Sequence, residues 1–272
     1  AIAEKTTSSA KSISEKYKPK YVTTDYKQLL NDPSIDLIII GTRHNLHAKQ
    51  VIDAITSGKN VLVEKPLAMN HEEVAMIEAA LAANHNTIVT VGFNRRYSPL
   101  TQKVKSIIEN NTSPIVINYR VNAGYLPPDI WIQDLEEGGG RIIGEVCHFI
   151  DLIVYLVSDN IKTINAIHIP PDGYNVKSED NVIISLEFEK GSIGVLTYTS
   201  IGGQEMEKER LEIFINGGSM VIRDFVELQT FNCHQSGISL KKADKGHKVL
   251  IKELSKKLRD KDSLILPFDR DI

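Results

Sequence analysis

Four short stretches of this chain carry side chains whose types and spacing suit proton transfer on an alcohol. Val61-Leu62-Val63-Glu64-Lys65-Pro66 is an apolar, strand-like run that ends in a carboxylate, an amine and a proline. Ligands of open α/β sheets bind off the carboxyl ends of the strands, so a lysine there can give or take a hydroxyl proton. A free lysine, with a pKa near ~10.4, is a poor base at neutral pH. Desolvation or nearby cations bring it into range. A bare Glu-Lys-Pro also reads as surface charge before a turn. Thr42-Arg43-His44-Asn45-Leu46-His47 stands where a strand hands over to a helix. Amides at a helix N-terminus attract phosphates and polar sugar atoms. His44 and His47 read equally as a capping or surface pair. As an H-x-x-H metal pair they lack an acidic ligand, and no metal is expected.

Gly138-Gly139-Gly140 opens the next stretch, which runs through Glu145 and His148 to Asp151. Glycine permits positive φ or close backbone approach just before a helix. Glu145 and His148, and likewise His148 and Asp151, have the spacing of one helix face. An imidazole beside carboxylates shuttles protons near neutrality; a core histidine on an apolar helix is the plainer alternative. Phe93-Asn94-Arg95-Arg96-Tyr97 follows a strand, where arginine can hold a carboxylate or phosphate in bidentate fashion. Arg96, Tyr125 and Trp131 would shape a sugar pocket, since aromatic faces suit sugar rings; ordinary surface pairing is the alternative.

The elements that must position these residues follow from periodicity. Asp36–Ile40 is a short apolar run of the kind buried on both faces of a parallel sheet. A helix with Ala48, Val51, Ile52 and Ile55 on one face follows, closed by Gly58. Strand 61–63, a helix from Glu72 to Ala83 and strand Ile88–Val91 continue a βαβαβ alternation. After about residue 97 the pattern changes. A helix over Leu100–Glu109, a strand at Ile115–Val121 and an apolar helix over Arg141–Val157 precede strand-like runs between residues 161 and 231. Glycines supply hairpin turns between several of them. The predicted fold is α/β, an incomplete Rossmann-like doubly wound domain over residues 1–97, plus an α+β domain over 98–272 with a large, mostly antiparallel sheet.

Composition excludes several classes. Over 272 residues, 25% are charged and 42% hydrophobic, ordinary for a globular protein. A net charge of −3 offers no basic excess to neutralise phosphates, so no nucleic acid is expected as partner. Lysines 241–257 are the one local exception, read as a solvated loop and helix face. No run approaches the ~18 apolar residues of a membrane span. Two cysteines, Cys147 and Cys233, make neither a disulfide framework nor a zinc site. A cytoplasmic protein is expected.

Taken in order, these segments resemble the glucose–fructose oxidoreductase/inositol dehydrogenase (Gfo/Idh/MocA) family over nearly the whole chain. The resemblance implies NAD or NADP as cofactor and a sugar, nucleotide-sugar or cyclitol hydroxyl as substrate. Lys65 and His148 would handle the hydroxyl proton, with Glu145 or Asp151 as the accompanying acid. Glu4 falls at the ribose-binding acid, and Thr42, His44, Asn45, His47 and Arg95 lie along the cofactor. Glu64, Lys65 and Pro66 flank the nicotinamide, with a Lys-Pro bond that is often cis. Glu4 favours NAD, whereas Thr6, Thr7 and Ser8 could meet a 2′-phosphate. Family members oligomerise through the second-domain sheet, so a homodimer or homotetramer is expected.

Two departures accompany the resemblance. The family's aspartate four residues before the histidine is Gly144 here, with Glu145 next door and about 100° around the helix. No G-x-G-x-x-G/A turn stands near residue 1; Ala1-Ile2-Ala3-Glu4 reads as the tail of a second strand. In the strand order 3-2-1-4-5-6 the missing strand is central. The expectation is therefore a gap in the sheet, a chain that binds dinucleotide poorly or not at all, and a parent enzyme that binds it. The Thr-Arg-His and Gly-Glu-Val-Cys-His runs further resemble the dehydrogenase half of proteins with an alcohol-dehydrogenase-like region upstream, which implies an excised domain. The C-terminus is likewise expected to stop short of the family's helical ending. A non-catalytic sugar-binding or assembly module with the same fold is the competing class.

Overall fold

The computed structural model describes residues 1–109, 111–170 and 180–260, so the end of the expected second domain lies outside the described residues. The chain divides into two compact units, Ala1–Val91 and one that begins at Gly92.

The first unit runs β1 (Ile2–Ala3), α1 (Thr7–Tyr17), β2 (Val22–Thr23), α2 (Lys27–Asn31), β3 (Leu37–Ile40), α3 (His47–Thr56), β4 (Asn60–Val63), α4 (His71–Ala83) and β5 (Val89–Val91). All strand pairs are parallel, and they form two separate sheets, β1-β2 and β3-β4-β5. The helices begin and end where local chemistry says they should. Thr6 caps α1 by accepting from Ser9 N. Asn70 caps α4 by accepting from Glu73 N, and the Glu73 carboxylate returns to Met69 N at 2.8 Å. At the end of α3, Gly58 takes φ +71°, and the amides of Gly58 and Lys59 reach back to Ile55 and Ala54. That double return is the glycine-terminated helix end, open to a residue without Cβ. Val51, Ala54 and Ile55 on α3 are fully buried against Val61, Val63 and Ile77. Each large aliphatic side chain buried this way contributes about 1.5–3 kcal/mol.

The second unit contains α5 (Pro99–Ile108), β6 (Val116–Asn122), α6 (Cys147–Val157), β7 (Ile161–His168), β8 (Val182–Phe188), β9 (Ile193–Thr199), β10 (Glu209–Ile215), β11 (Gly218–Arg223), β12 (Glu227–Phe231), β13 (Ile238–Ser239) and α7 (His247–Asp260). Its eight strands lie in the order β13-β12-β11-β10-β6-β9-β8-β7. All neighbours are antiparallel except β6 and β9, which run parallel at the centre. Alternation along the strands sends Ile117, Tyr119 and Val121, Leu196 and Tyr198, and Leu211 and Ile213 into a core with Leu152, Ile153 and Leu156 of α6. Periodicity foresaw these elements but not the short β2, α2 and β13. Nor did it foresee the parallel β6–β9 pair, which no local signal announces. The helix read over Arg141–Val157 is also not uniform: Ile142–Val146 form a π-helical turn ahead of α6. Such a turn re-phases the side chains on either side of it.

Candidate functional site

In the first unit, the carboxyl ends of β3 and β4 stand side by side. Ile40 pairs with Val63, and Glu64 N donates to Ile40 O at 2.9 Å. The Thr42 and Lys65 turns therefore emerge together. Thr42 is exposed, and its hydroxyl donates to Gln50 Oε1 at 2.8 Å. Glu64 is exposed and Lys65 half-buried, and the Lys65–Pro66 peptide is cis. His44 and Asn45 lie in a 3-10 turn over His44–Leu46 that leads into α3. Asn45 faces solvent, whereas His44 is 5% and His47 1% exposed, their rings 5.7 Å apart. His47 is turned inward: Nδ1 lies 2.6 Å from Pro66 O and Nε2 3.1 Å from Thr42 O. It ties two turns together and is buried, so the surface alternative for it fails, while its amide caps the 3-10 turn on His44 O. Glu4 directly follows β1, with its amide on Thr23 O at 3.0 Å.

In the second unit, a 3-10 turn over Asn94–Tyr97 holds both arginines, and each guanidinium pairs with a carboxylate. Arg95 is 7% exposed, its Nε and Nη2 each donating at 2.7 Å to the Glu209 carboxylate. Tyr119 Oη and Lys245 Nζ also donate to Glu209, both at 2.6 Å. Burial would push Glu209 up, but the hydrogen bonds and charge of Arg95, with the charge of Lys245, outweigh it and hold the carboxyl at about 2. Burial and then the Glu209 charge raise the Tyr119 phenol well above its ordinary value. Arg95, expected along the cofactor, forms a buried pair with Glu209. Loop and turn close tightly here: Asn94 Nδ2 donates to Lys245 O at 2.6 Å. Gly246 takes φ +89°, where a Cβ would stand 2.3 Å from Asn94 O.

Arg96 Nε donates to both oxygens of Asp151, at 2.9 and 2.8 Å, and Nη2 donates to Oδ1. Asp151 is fully buried. Asp151, expected to take part in proton handling, and Arg96, expected at the substrate, are thus paired with each other, since a buried carboxylate needs a cation. The Arg96 guanidinium also lies 5.8 Å from the Phe93 ring and 5.4 Å from that of Tyr155. His148, 5% exposed, stacks on Phe93 with ring centroids 5.9 Å apart.

Glu145 lies within the π turn over Ile142–Val146. Its carboxylate accepts from Tyr198 Oη at 2.6 Å and from Arg141 Nη2 at 3.2 Å. Arg141 is 1% exposed, lies 5.2 Å from the Tyr198 ring centroid, and gives Nη1 to Gly124 O at 2.7 Å. Asp180 stands 3.8 Å from the same nitrogen and accepts from Gln133 at 2.7 Å. Burial, then the Glu145 charge, pushes the Tyr198 phenol far above its usual value, so it stays a donor. Tyr125 is exposed on its loop and Trp131 half-buried in a 3-10 turn. Sequence reasoning missed Arg141, Tyr198, Asp180, Glu209 and Tyr119. Two signals were present: Arg141 and Glu145 are four apart, and Glu209 shares strand parity with the buried Leu211 and Ile213. Among the described residues no group of histidines, cysteines and carboxylates could hold a metal, and no helix is long and apolar enough to cross a membrane.

Two family models match the chain. Residues 1–93 match the oxidoreductase family, NAD-binding Rossmann fold, and residues 101–221 the GFO/IDH/MocA C-terminal domain. The chain is 28% identical over 226 residues to an uncharacterized oxidoreductase, YrbE, of Bacillus subtilis, covering 80% of this chain and 64% of the relative. It is 26% identical over 231 residues to a myo-inositol 2-dehydrogenase of Thermotoga maritima, covering 80% and 65%. The chain therefore spans just under two thirds of the length of these relatives. A levoglucosan dehydrogenase solved with NADH and levoglucosan shares the fold, with a TM-score of 0.77 at 24% identity, covering 90% of this chain and 72% of that one.

Proposed function

Because the chain belongs to the Gfo/Idh/MocA oxidoreductase family, we propose that it is the catalytic part of an NAD(P)-dependent dehydrogenase acting on a sugar, nucleotide-sugar or cyclitol hydroxyl. The observation that carries the reading is the Glu64-Lys65-Pro66 turn at the carboxyl end of a parallel strand, in register with the Thr42 turn. Ligands collect at that edge of such sheets. The exposed Thr42 and Asn45, beside the half-buried Lys65, supply the polar groups a nicotinamide ribose would meet, and Glu4 fits a ribose hydroxyl. A bound dinucleotide would supply the hydride-acceptor chemistry. Lys65 takes the hydroxyl proton as the alcohol becomes a carbonyl. By the family resemblance His148 is a second proton-handling residue; within its own unit it stacks on Phe93. Arg96 and Asp151 hold that helix and the Asn94–Tyr97 turn in fixed relation.

Self-association belongs to the same reading. On the outer face of the large sheet, cross-strand pairing aligns Ile193, Val116, Phe214, Ser219 and Phe231 in one row. Four of those five are exposed apolar side chains, 40–53% accessible. A second copy of the chain covers that row in a homodimer or homotetramer. Light scattering after gel filtration tests it, and a monomer at micromolar concentration would reject it.

The function is tested by following NADH absorbance with NAD⁺ and a panel including myo-inositol and levoglucosan, using the full-length protein and its Lys65→Ala variant. The expected result is turnover that falls roughly 10²–10⁴-fold in the variant. Turnover unchanged by the substitution would remove Lys65 from the chemistry. No turnover by the wild type, together with sugar binding in calorimetry, would favour a non-catalytic module.

A further inference from the structure

We propose that His47 is a positioning residue held as a buried imidazolium, clamping the carbonyls of Thr42 and Pro66 and so fixing the backbone on either side of Lys65. The argument is a proton count. Both ring nitrogens face backbone carbonyl oxygens, Nδ1 at 2.6 Å from Pro66 and Nε2 at 3.1 Å from Thr42. A carbonyl oxygen only accepts. Neutral imidazole has one N–H and one lone pair, so one of the two contacts would set lone pair against lone pair. Both become hydrogen bonds only when both nitrogens carry protons. At 1% exposure the ring has no room to exchange either carbonyl for bulk water.

The charged and titratable groups around it pull in both directions. Arg43 and His44 precede it on the turn and Lys49 follows on α3. Glu64 and Lys65 lie on the turn after β4, and His71, Glu72 and Glu73 open α4, the helix packed on α3. The N-terminus of α3, where His47 stands, disfavours a cation. Two charge-assisted hydrogen bonds, each roughly twice as strong as a neutral one, offset that.

The consequence falls on Lys65. Glu64 N is held by Ile40 O and Pro66 O by His47, so the lysine sits between two fixed backbone groups. Thr42, immediately beyond β3, is fixed by the same ring. This functional half rests on the reading of Lys65 as the proton-handling group; the proton count does not.

The test is long-range ¹⁵N–¹H correlation NMR on the ¹⁵N-histidine-labelled chain, with His47 assigned by its loss in His47→Gln. Both ring nitrogens are expected in the protonated range at neutral pH, and one in the unprotonated range would overturn the clamp. In the full-length protein, with NAD⁺ and myo-inositol or levoglucosan as probes, His47→Gln should lower kcat roughly 10–100-fold. KM for the alcohol should stay within about twofold, because the groups that contact it are left alone. An unchanged kcat in a folded variant would remove the positioning role. Wild-type inactivity on both probes would count against the dehydrogenase reading, while the NMR result would still decide the clamp.

Discussion

Replacing Glu209 with glutamine should unravel the second unit more than any comparable change on its surface. Glu209 is 1% exposed and accepts two hydrogen bonds from Arg95 and one each from Tyr119 and Lys245. Glutamine keeps the shape but removes the charge and turns an N–H₂ toward the guanidinium. Arg95, its side chain 8% exposed, is then a cation buried without a counter-charge. Breaking such a pair from one side costs about 3–5 kcal/mol. With a urea m-value of about 2 kcal/mol/M, the midpoint should fall by roughly 1.5–2.5 M. Trp131, the chain's one tryptophan, lies in the second unit, so its fluorescence reports the affected part. A shift below about 0.5 M would refute the reasoning, because it would mean that Arg95 finds water or another anion. The apolar triple variant Arg95→Met/Tyr119→Phe/Glu209→Leu should recover at least half of the loss, since the three buried polar groups go together and the remaining Lys245, its side chain 29% exposed, reaches water. If it is as unstable as Glu209→Gln, shape rather than charge governs the site.

Other outcomes follow from the same geometry. Glu209 is held at about 2 against an ordinary 4.5, so its contribution of about 3 kcal/mol is complete above pH ~4.5 and is lost as pH falls toward ~2. Acid titration of wild type against Glu209→Gln should show that slope only in the wild type. Arg96→Met should cost more than Asp151→Asn, about 3–5 against about 1–2 kcal/mol in the same urea assay. The first leaves a fully buried carboxylate without Arg96, whereas the second leaves Arg96 with a side chain 19% exposed. Equal losses would contradict this asymmetry. Gly138→Ala should cost about 1–3 kcal/mol and shift Trp131 emission, because a Cβ there would stand 2.4 Å from the Ile132 Cα and 2.6 Å from the Trp131 carbonyl oxygen. An unchanged spectrum and midpoint would mean that the turn gives way freely.

The chain's linear order determined the elements and the turns that carry chemistry, because those depend on near neighbours. The apolar run into Glu64-Lys65-Pro66, the helix closed by Gly58 and the alternation from residue 182 to 231 are each legible within about ten positions. What the tertiary structure decided was partnership. Arg95 meets Glu209 across 114 residues, Arg96 meets Asp151 across 55, and Tyr198 meets Glu145 across 53. Arg95, Arg96, Asp151 and Glu145 each looked available for ligand or proton transfer when read along the chain, and Glu209 drew no notice. The π turn over Ile142–Val146 added a change of phase that helical counting from Glu145 to His148 could not include. Likewise, the inward turn of His47 depends on two carbonyls from two different strand ends. Periodicity says which face a residue occupies. Only the register of distant strands, and the cost of burying a charge unpaired, says what it touches there.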